Sequence, residues 1–196
     1  MDDAQRTKII ANSTRLIRDA KFLSDSDRCA SAFALAVLGL EEIGKVILDI
    51  WSEQGVQADD RRLSAHLRKQ TAVASLLLAV KGVAEILKSS PDRPVTEEFK
   101  NEVAKVLFES QDGQFSEVVR LGALDKTKQA AFYHDDWLDE IGIHPDQFQR
   151  SDVQSLFDKS RSAVSAMANR DYMRVGKAIY LAQIPFLTGK RDRPTK

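Results

Sequence analysis

The chain has 196 residues, of which 43% are hydrophobic and 30% charged, as expected for a soluble protein with a sizeable core. Its 29 basic and 29 acidic residues give a net charge of zero, which excludes strong overall attraction to nucleic acid but allows a local basic groove. A single cysteine, Cys29, excludes a disulfide framework within the chain, and without a membrane-spanning apolar run or signal peptide we expect a cytoplasmic protein with no membrane partner.

Apolar residues recur at helical spacing along most of the chain, and no stretch alternates as a β-strand does. Polar, glycine- and proline-containing breaks separate the periodic segments at 24–27, 55–60 and 89–94. The predicted helices cover residues 3–23, 27–53, 61–88, 97–110, 152–169 and 171–187, with short pieces at 115–122 and 126–139. We therefore expect an all-α, single-domain bundle of about six or seven helices over residues 1–188, followed by a basic, mobile tail at 189–196.

The second predicted helix is apolar nearly all round and carries a short polar strip. Residues 29–51 read CASAFALAVLGLEEIGKVILDIW, and one arc of the helical wheel holds Glu41, Glu42, Lys45 and Asp49. Because an unpaired charge is costly to bury, these groups need partners if the helix lies in the core. The strip is either a solvated salt bridge between Glu41 and Lys45 or a carboxylate pair with perturbed acidity at a functional site.

The third predicted helix carries a histidine and a lysine one turn apart, His66 and Lys69. A short connection favours antiparallel packing against the second helix, which would bring His66 towards Glu42 or Lys45. The alternative is a histidine on a partly exposed first turn. Arg61 and His66 also resemble the R-x4-6-H motif of HEPN ribonucleases, in which histidine is a general acid/base and arginine steadies the phosphate charge. Chance also produces this spacing in a chain with many arginines.

An aromatic and acidic cluster, FYHDDW at 132–137, lies in a weakly patterned region. His134 and the two aspartates after it are potential metal ligands, but adjacent residues on a helix point apart and seldom share one ion. We therefore expect structural packing of Tyr133 and Trp137 and no metal site. The chain has no phosphate-binding glycine loop, nucleophile elbow or dinucleotide fingerprint, so we expect no cofactor.

The order of these features resembles the AbiV family of abortive-infection proteins, which belongs to the HEPN superfamily of small helical domains. The family pattern is an apolar helix ending in E-E-x-G-K, then H-x-x-K, then a basic residue before an aromatic Y-V-D segment. The corresponding residues here are Glu41-Glu42-Ile43-Gly44-Lys45, then His66 and Lys69, then Lys128 followed by Tyr133-His134-Asp135. The resemblance covers about residues 5–137, and His134 stands where the family usually has valine.

The resemblance implies a HEPN-like bundle that forms a homodimer and defends a bacterial cell against phage. The first hypothesis is action on transfer or ribosomal RNA or on the translation apparatus, with a phage protein as trigger and metal-independent RNA cleavage as the candidate reaction. The catalytic residues would be His66 as acid/base, Lys45 and Lys69 as phosphate ligands, and Glu41 or Glu42 as the orienting carboxylate. The RNA-binding residues would be Arg61, Lys128, Tyr133 and Asp135. The second hypothesis is a non-enzymatic module that binds a phage or host protein, in which the same network is purely structural.

Overall fold

The computed structural model describes residues 1–57, 63–88, 96–132 and 144–188, and every regular element in these ranges is helical. The helices are α1 (Asp3–Asp25), α2 (Cys29–Glu53), α3 (Ala65–Lys88), α4 (Glu97–Glu109), α5 (Gln111–Arg120), α6 (Ala123–Phe132), a 3₁₀ turn (Pro145–Gln147), α7 (Arg150–Met167) and α8 (Arg170–Leu187). The all-α prediction is confirmed. The expected number of helices was too low, because the described ranges alone contain eight α-helices.

The two shortest α-helices, α5 and α6, lie in the region where the sequence pattern was weak and where only short helical pieces were predicted. Ser110 ends α4 and also caps α5, where its hydroxyl accepts a hydrogen bond from the Gly113 N–H. Gly122 then adopts a φ of 68°, a left-handed conformation that ends α5 before α6 begins. Both short helical pieces predicted here therefore begin earlier than expected, and the first also ends earlier, at Arg120.

Helix α2 is the centre of the bundle and packs against α1, α3, α6 and α7. Val37, Leu40, Ile43 and Ile47 on this helix are completely buried. Each buried aliphatic side chain of this size contributes about 1.5–3 kcal/mol to stability. The sequence predicted this central position from the absence of a broad polar face.

Helices α1 and α2 form an antiparallel hairpin. The Ser13 hydroxyl donates to the Gly39 carbonyl at 2.7 Å, in the middle of both helices. Nearer the start of α1, the Arg6 guanidinium donates to an Asp49 carboxylate oxygen at 2.7 Å. These contacts fix the orientation of α2 and of the polar groups that it carries.

The start of α3 lies beside the middle of α2. His66 contacts Glu41, and the backbone of Lys69 lies against Gly44, so these contacts advance in the same direction along both helices. The structure therefore differs from the expected antiparallel pairing, which placed the start of α3 at the end of α2. None of the described helices has the length and hydropathy needed to cross a membrane.

Candidate functional site

The carboxylate of Glu41 is the centre of a polar network inside the bundle. Glu41 is only 2% exposed, and groups from two other helices surround it. His66 Nδ1 lies 2.6 Å from its Oε2, while Gln70 Nε2 and Lys128 Nζ donate to Oε1 at 2.8 and 2.9 Å. The burial of this charge is therefore compensated by hydrogen bonds and by an ammonium group.

His66 connects this buried network to solvent, because 46% of its side chain is exposed. An ionised carboxylate only accepts hydrogen bonds, so the short contact assigns the proton to Nδ1, which donates to Glu41. Nε2 then carries a lone pair in the neutral ring, and it forms no hydrogen bond with any residue that the structure describes. A histidine held in this way can take up and release a proton at Nε2.

Lys128, on α6, is the buried cation of the network, with a side chain that is 7% exposed. Its Nζ lies 2.7 Å from Asp125 Oδ1 in addition to its contact with Glu41. Burial by itself lowers the pKa of Lys128, but the hydrogen bonds and charges of Asp125 and Glu41 outweigh it and the pKa is raised. Lys128 is therefore an ammonium ion between two carboxylates.

The same residues include a possible set of metal ligands. One ligand atom from each of Glu41, His66 and Asp125 lies within 4.8 Å of the others. The Lys128 ammonium lies among them, close to both carboxylates and 3.2 Å from His66 Nδ1. In this arrangement Lys128 supplies the positive charge that a metal ion would otherwise bring.

Gly44 lets α2 and α3 approach closely enough for the network to form. A Cβ atom at this position would lie 2.2 Å from the carbonyl oxygen of Lys69, so no larger residue fits without moving a helix. Lys45 is exposed and Lys69 is half-buried. Neither ammonium has a hydrogen bond or ion pair within the described ranges, so both remain available beside the crossing of the two helices.

The remaining predictions for site residues have different outcomes. Glu42 is half-buried and makes no hydrogen bond to the residues seen in the structure, so Glu41 alone is the partner of His66. The predicted contact of His66 with Glu42 or Lys45 is replaced by this pair. Lys128 has a buried ammonium, and its predicted contact with RNA stays a prediction. Three predicted RNA-binding residues lie outside the described residues: Arg61, Tyr133 and Asp135.

Two members of the network, Gln70 and Asp125, were not among the predicted site residues. Each lies one helical turn from a residue that was: Gln70 is four residues after His66, and Asp125 is three before Lys128. A search for polar residues three or four positions from His66 and Lys128 on the same helix would therefore have identified both.

Comparison of the chain with models of known protein families gives a match that spans the whole network. The family model HEPN_AbiV, described as AbiV, matches residues 3–162 of the chain. This match includes every residue of the network and leaves residues 1–2 and 163–196 outside, which comprise the end of α7, all of α8 and the residues after it. No curated protein and no solved structure matches the chain.

Proposed function

The chain belongs to the AbiV family of HEPN-type abortive-infection proteins, and on that premise we propose that it acts as a homodimer on RNA or the translation apparatus during phage defence. The candidate reaction is metal-independent cleavage of transfer or ribosomal RNA. The site on each protomer consists of the Glu41–His66 pair and the lysines beside it.

The observation that carries this proposal is the connection between a buried carboxylate and a half-exposed imidazole. Glu41 is held by Gln70 and Lys128, so it cannot turn away from His66. It fixes the ring with Nδ1 inward and leaves Nε2 available to a substrate. A histidine with a purely packing role does not need a buried, charged partner and a half-exposed ring at the same time.

The proposed reaction needs only groups that this arrangement supplies. His66 Nε2 takes the proton of a ribose 2′-hydroxyl while that oxygen attacks the adjacent phosphorus. The bond from O2′ to phosphorus forms and the bond to O5′ breaks, which leaves a 2′,3′-cyclic phosphate and a 5′-hydroxyl. The leaving oxygen takes a proton from water, and His66 returns its proton to solvent. Lys45 and Lys69 would stabilise the charge on the phosphate.

A specific observation also favours the second candidate, a non-enzymatic interaction module. Glu41 and Lys128 are almost completely buried and pair with each other, as in a network whose role is to fix the packing of three helices. In that case the protein would act by binding a phage or host protein, and His66 would be a structural residue at the edge of the network.

Cleavage of RNA in EDTA separates the two candidates. Wild type is incubated with total RNA and with transfer RNA, and the product ends are tested for cyclic phosphate. We expect cleavage by wild type, loss of cleavage in His66→Ala, and retention in His144→Ala, a matched control outside the network. Far-UV circular dichroism and light scattering verify that each variant is folded and dimeric.

The outcomes are distinct. Absence of cleavage by wild type, together with loss of the dimer in His66→Ala, would support the interaction module. Cleavage that persists in folded His66→Ala would refute the assignment of His66 as the acid/base. Lys45→Gln and Lys69→Gln should reduce cleavage while Lys105→Gln, an exposed lysine on α4, should not.

A further inference from the structure

A cavity with a volume of about 390 Å³ lies where α5, α6, α7 and the 3₁₀ turn meet beside α2. This volume is within the range of about 300–1,000 Å³ that is usual for small-molecule sites. The cavity shares no residue with the Glu41 network, and the proposed RNA cleavage makes no use of it. We propose that it binds an aromatic monoamine, a small molecule that combines one ammonium group with an aromatic body.

Three phenylalanine rings form part of the wall of this cavity. Phe33 comes from α2, Phe115 from α5, and Phe148 from the segment between the 3₁₀ turn and α7. The centroids of the Phe33 and Phe148 rings are 5.0 Å apart, and the planes of these rings are inclined by 52°. Because aromatic rings favour such tilted contacts with one another, an aromatic ligand would extend this cluster better than an alkyl chain would.

The charge on the wall is negative. Asp152, on α7, is the one charged residue that lines the cavity within the described ranges. Its Oδ2 accepts a hydrogen bond from the Gln149 N–H at 2.9 Å, and it has no ion pair with a residue that the structure describes. A carboxylate without a cationic partner attracts an ammonium group and repels a carboxylate or phosphate group. A second ammonium group, as in a polyamine, would be left unpaired among apolar side chains.

The chain already holds an ammonium group of its own in the same way, next to this cavity. Lys159 is 8% exposed, and its Nζ lies 5.1 Å from the centroid of the Phe115 ring and 3.3 Å from Asp112 Oδ1. A cation is attracted to a ring when it lies within about 6 Å of the centroid. An ammonium group between a ring and a carboxylate is therefore accommodated in this part of the bundle. Because Asp112 compensates the charge of Lys159, the charge of Asp152 determines which ligands the cavity attracts.

Isothermal titration calorimetry of the full chain with tryptamine and phenethylamine tests the proposal. We expect at least one of these amines to bind. Indole-3-propionate, which has a carboxylate in place of the tryptamine ammonium, should bind at least about tenfold more weakly than tryptamine. Hexylamine, which has the ammonium group but no ring, should bind about two- to tenfold more weakly than the better aromatic amine.

Asp152→Asn removes the charge but keeps a side-chain oxygen that can accept from the Gln149 N–H, so the start of α7 retains this contact. This variant should bind the amine about tenfold or more weakly than wild type, because a charge-assisted hydrogen bond is lost. The matched control is Asp158→Asn, which removes an exposed carboxylate of the same helix outside the cavity. Its affinity should equal that of wild type.

Phe148→Leu tests the contribution of the rings, because leucine keeps an apolar contact but has no π system. We expect it to weaken binding of the amine by about two- to tenfold. Phe22→Leu, at a phenylalanine of α1 that is 72% exposed and lies outside the cavity, should leave the affinity unchanged. Far-UV circular dichroism verifies that each variant is folded.

Four results would overturn the proposal. The first is that neither aromatic amine binds. The second is that indole-3-propionate binds as tightly as tryptamine, which would show that the charge of Asp152 does not select the ligand. The third is that Asp152→Asn and Asp158→Asn lose affinity equally, which would indicate unspecific attraction to negative charge. The fourth is that hexylamine or spermidine binds more tightly than both aromatic amines, which would make this a site for aliphatic amines.

Discussion

Replacing Gly44 with alanine tests how closely α2 and α3 must approach for the Glu41 network to form. The new Cβ would lie 2.2 Å from the Lys69 carbonyl oxygen, and ordinary contact begins near 3.4 Å, so the helices must separate locally by about 1.2 Å. Overpacking of this kind costs about 1–3 kcal/mol. The higher helix propensity of alanine returns about 1 kcal/mol. We therefore expect a net destabilisation of about 0–2 kcal/mol, towards the upper end of that range because backbone atoms cannot rotate aside.

The chain provides a matched control for this substitution at Gly82 on α3. A Cβ at Gly82 would lie 3.5 Å from Leu107 Cδ1, which is an ordinary contact with a flexible side chain. Gly82→Ala should therefore be neutral or stabilise the protein by up to about 1 kcal/mol. Urea unfolding followed by far-UV circular dichroism measures both variants. Equal unfolding midpoints for the two alanine variants would refute the close approach at Gly44.

Three further predictions concern buried polar contacts. Lys128→Met should destabilise the protein by about 3–5 kcal/mol because Glu41 is left without its ammonium partner; equal urea midpoints for Lys128→Met and for Lys126→Met, its exposed neighbour, would contradict this pairing. Burial lowers the pKa of Lys128, but its two carboxylate partners raise it by more, so the pKa is higher in the folded than in the unfolded protein. The contribution of the Lys128 ion pairs to stability is therefore complete below the unfolded pKa of about 10.4 and is lost as pH rises through the folded pKa. The stability difference between wild type and Lys128→Met should accordingly stay constant at neutral pH and shrink above about pH 10.5; a constant difference up to pH 12 would contradict the raised pKa. Trp51→Phe should cost about 1–2 kcal/mol, because the indole N–H donates to the buried Met173 carbonyl at 3.1 Å, and an unchanged urea midpoint would contradict this contribution.

The sequence predicted the fold class and a polar strip on an otherwise apolar helix, because both depend on helical periodicity, but of this strip only Glu41 is buried. The choice between Glu41 and Glu42 could not be made in the same way. Both residues lie in the same polar arc of the helical wheel, and only the positions of α3 and α6 decide which of them is enclosed. Lys128 is 87 residues from Glu41, so no local pattern connects them. It entered the prediction only through the family resemblance, with a different role.

The direction of α3 shows a second limit of sequence reasoning. A connection of limited length restricts how far apart two helices lie, but it does not determine which part of one helix the next will cross. The expected antiparallel order therefore led to the wrong partner for His66. The predicted helix boundaries between residues 110 and 123 were wrong for a related reason, since a serine cap and a glycine in the left-handed region divide this segment into two short helices.

The one-turn spacings within the E-E-x-G-K motif of α2 and the H-x-x-K motif of α3 follow from the crossing of these two helices. Glu41 and Gly44 are three residues apart on α2, as are His66 and Lys69 on α3, because Glu41 meets the His66 side chain while Gly44 meets the Lys69 backbone. The first contact requires a carboxylate and an imidazole, and the second requires a glycine. It does not require a lysine, since any residue at position 69 would offer the same carbonyl oxygen. The Lys69 ammonium is therefore not explained by packing, and an ammonium one turn from His66 is where the proposed reaction needs a phosphate ligand.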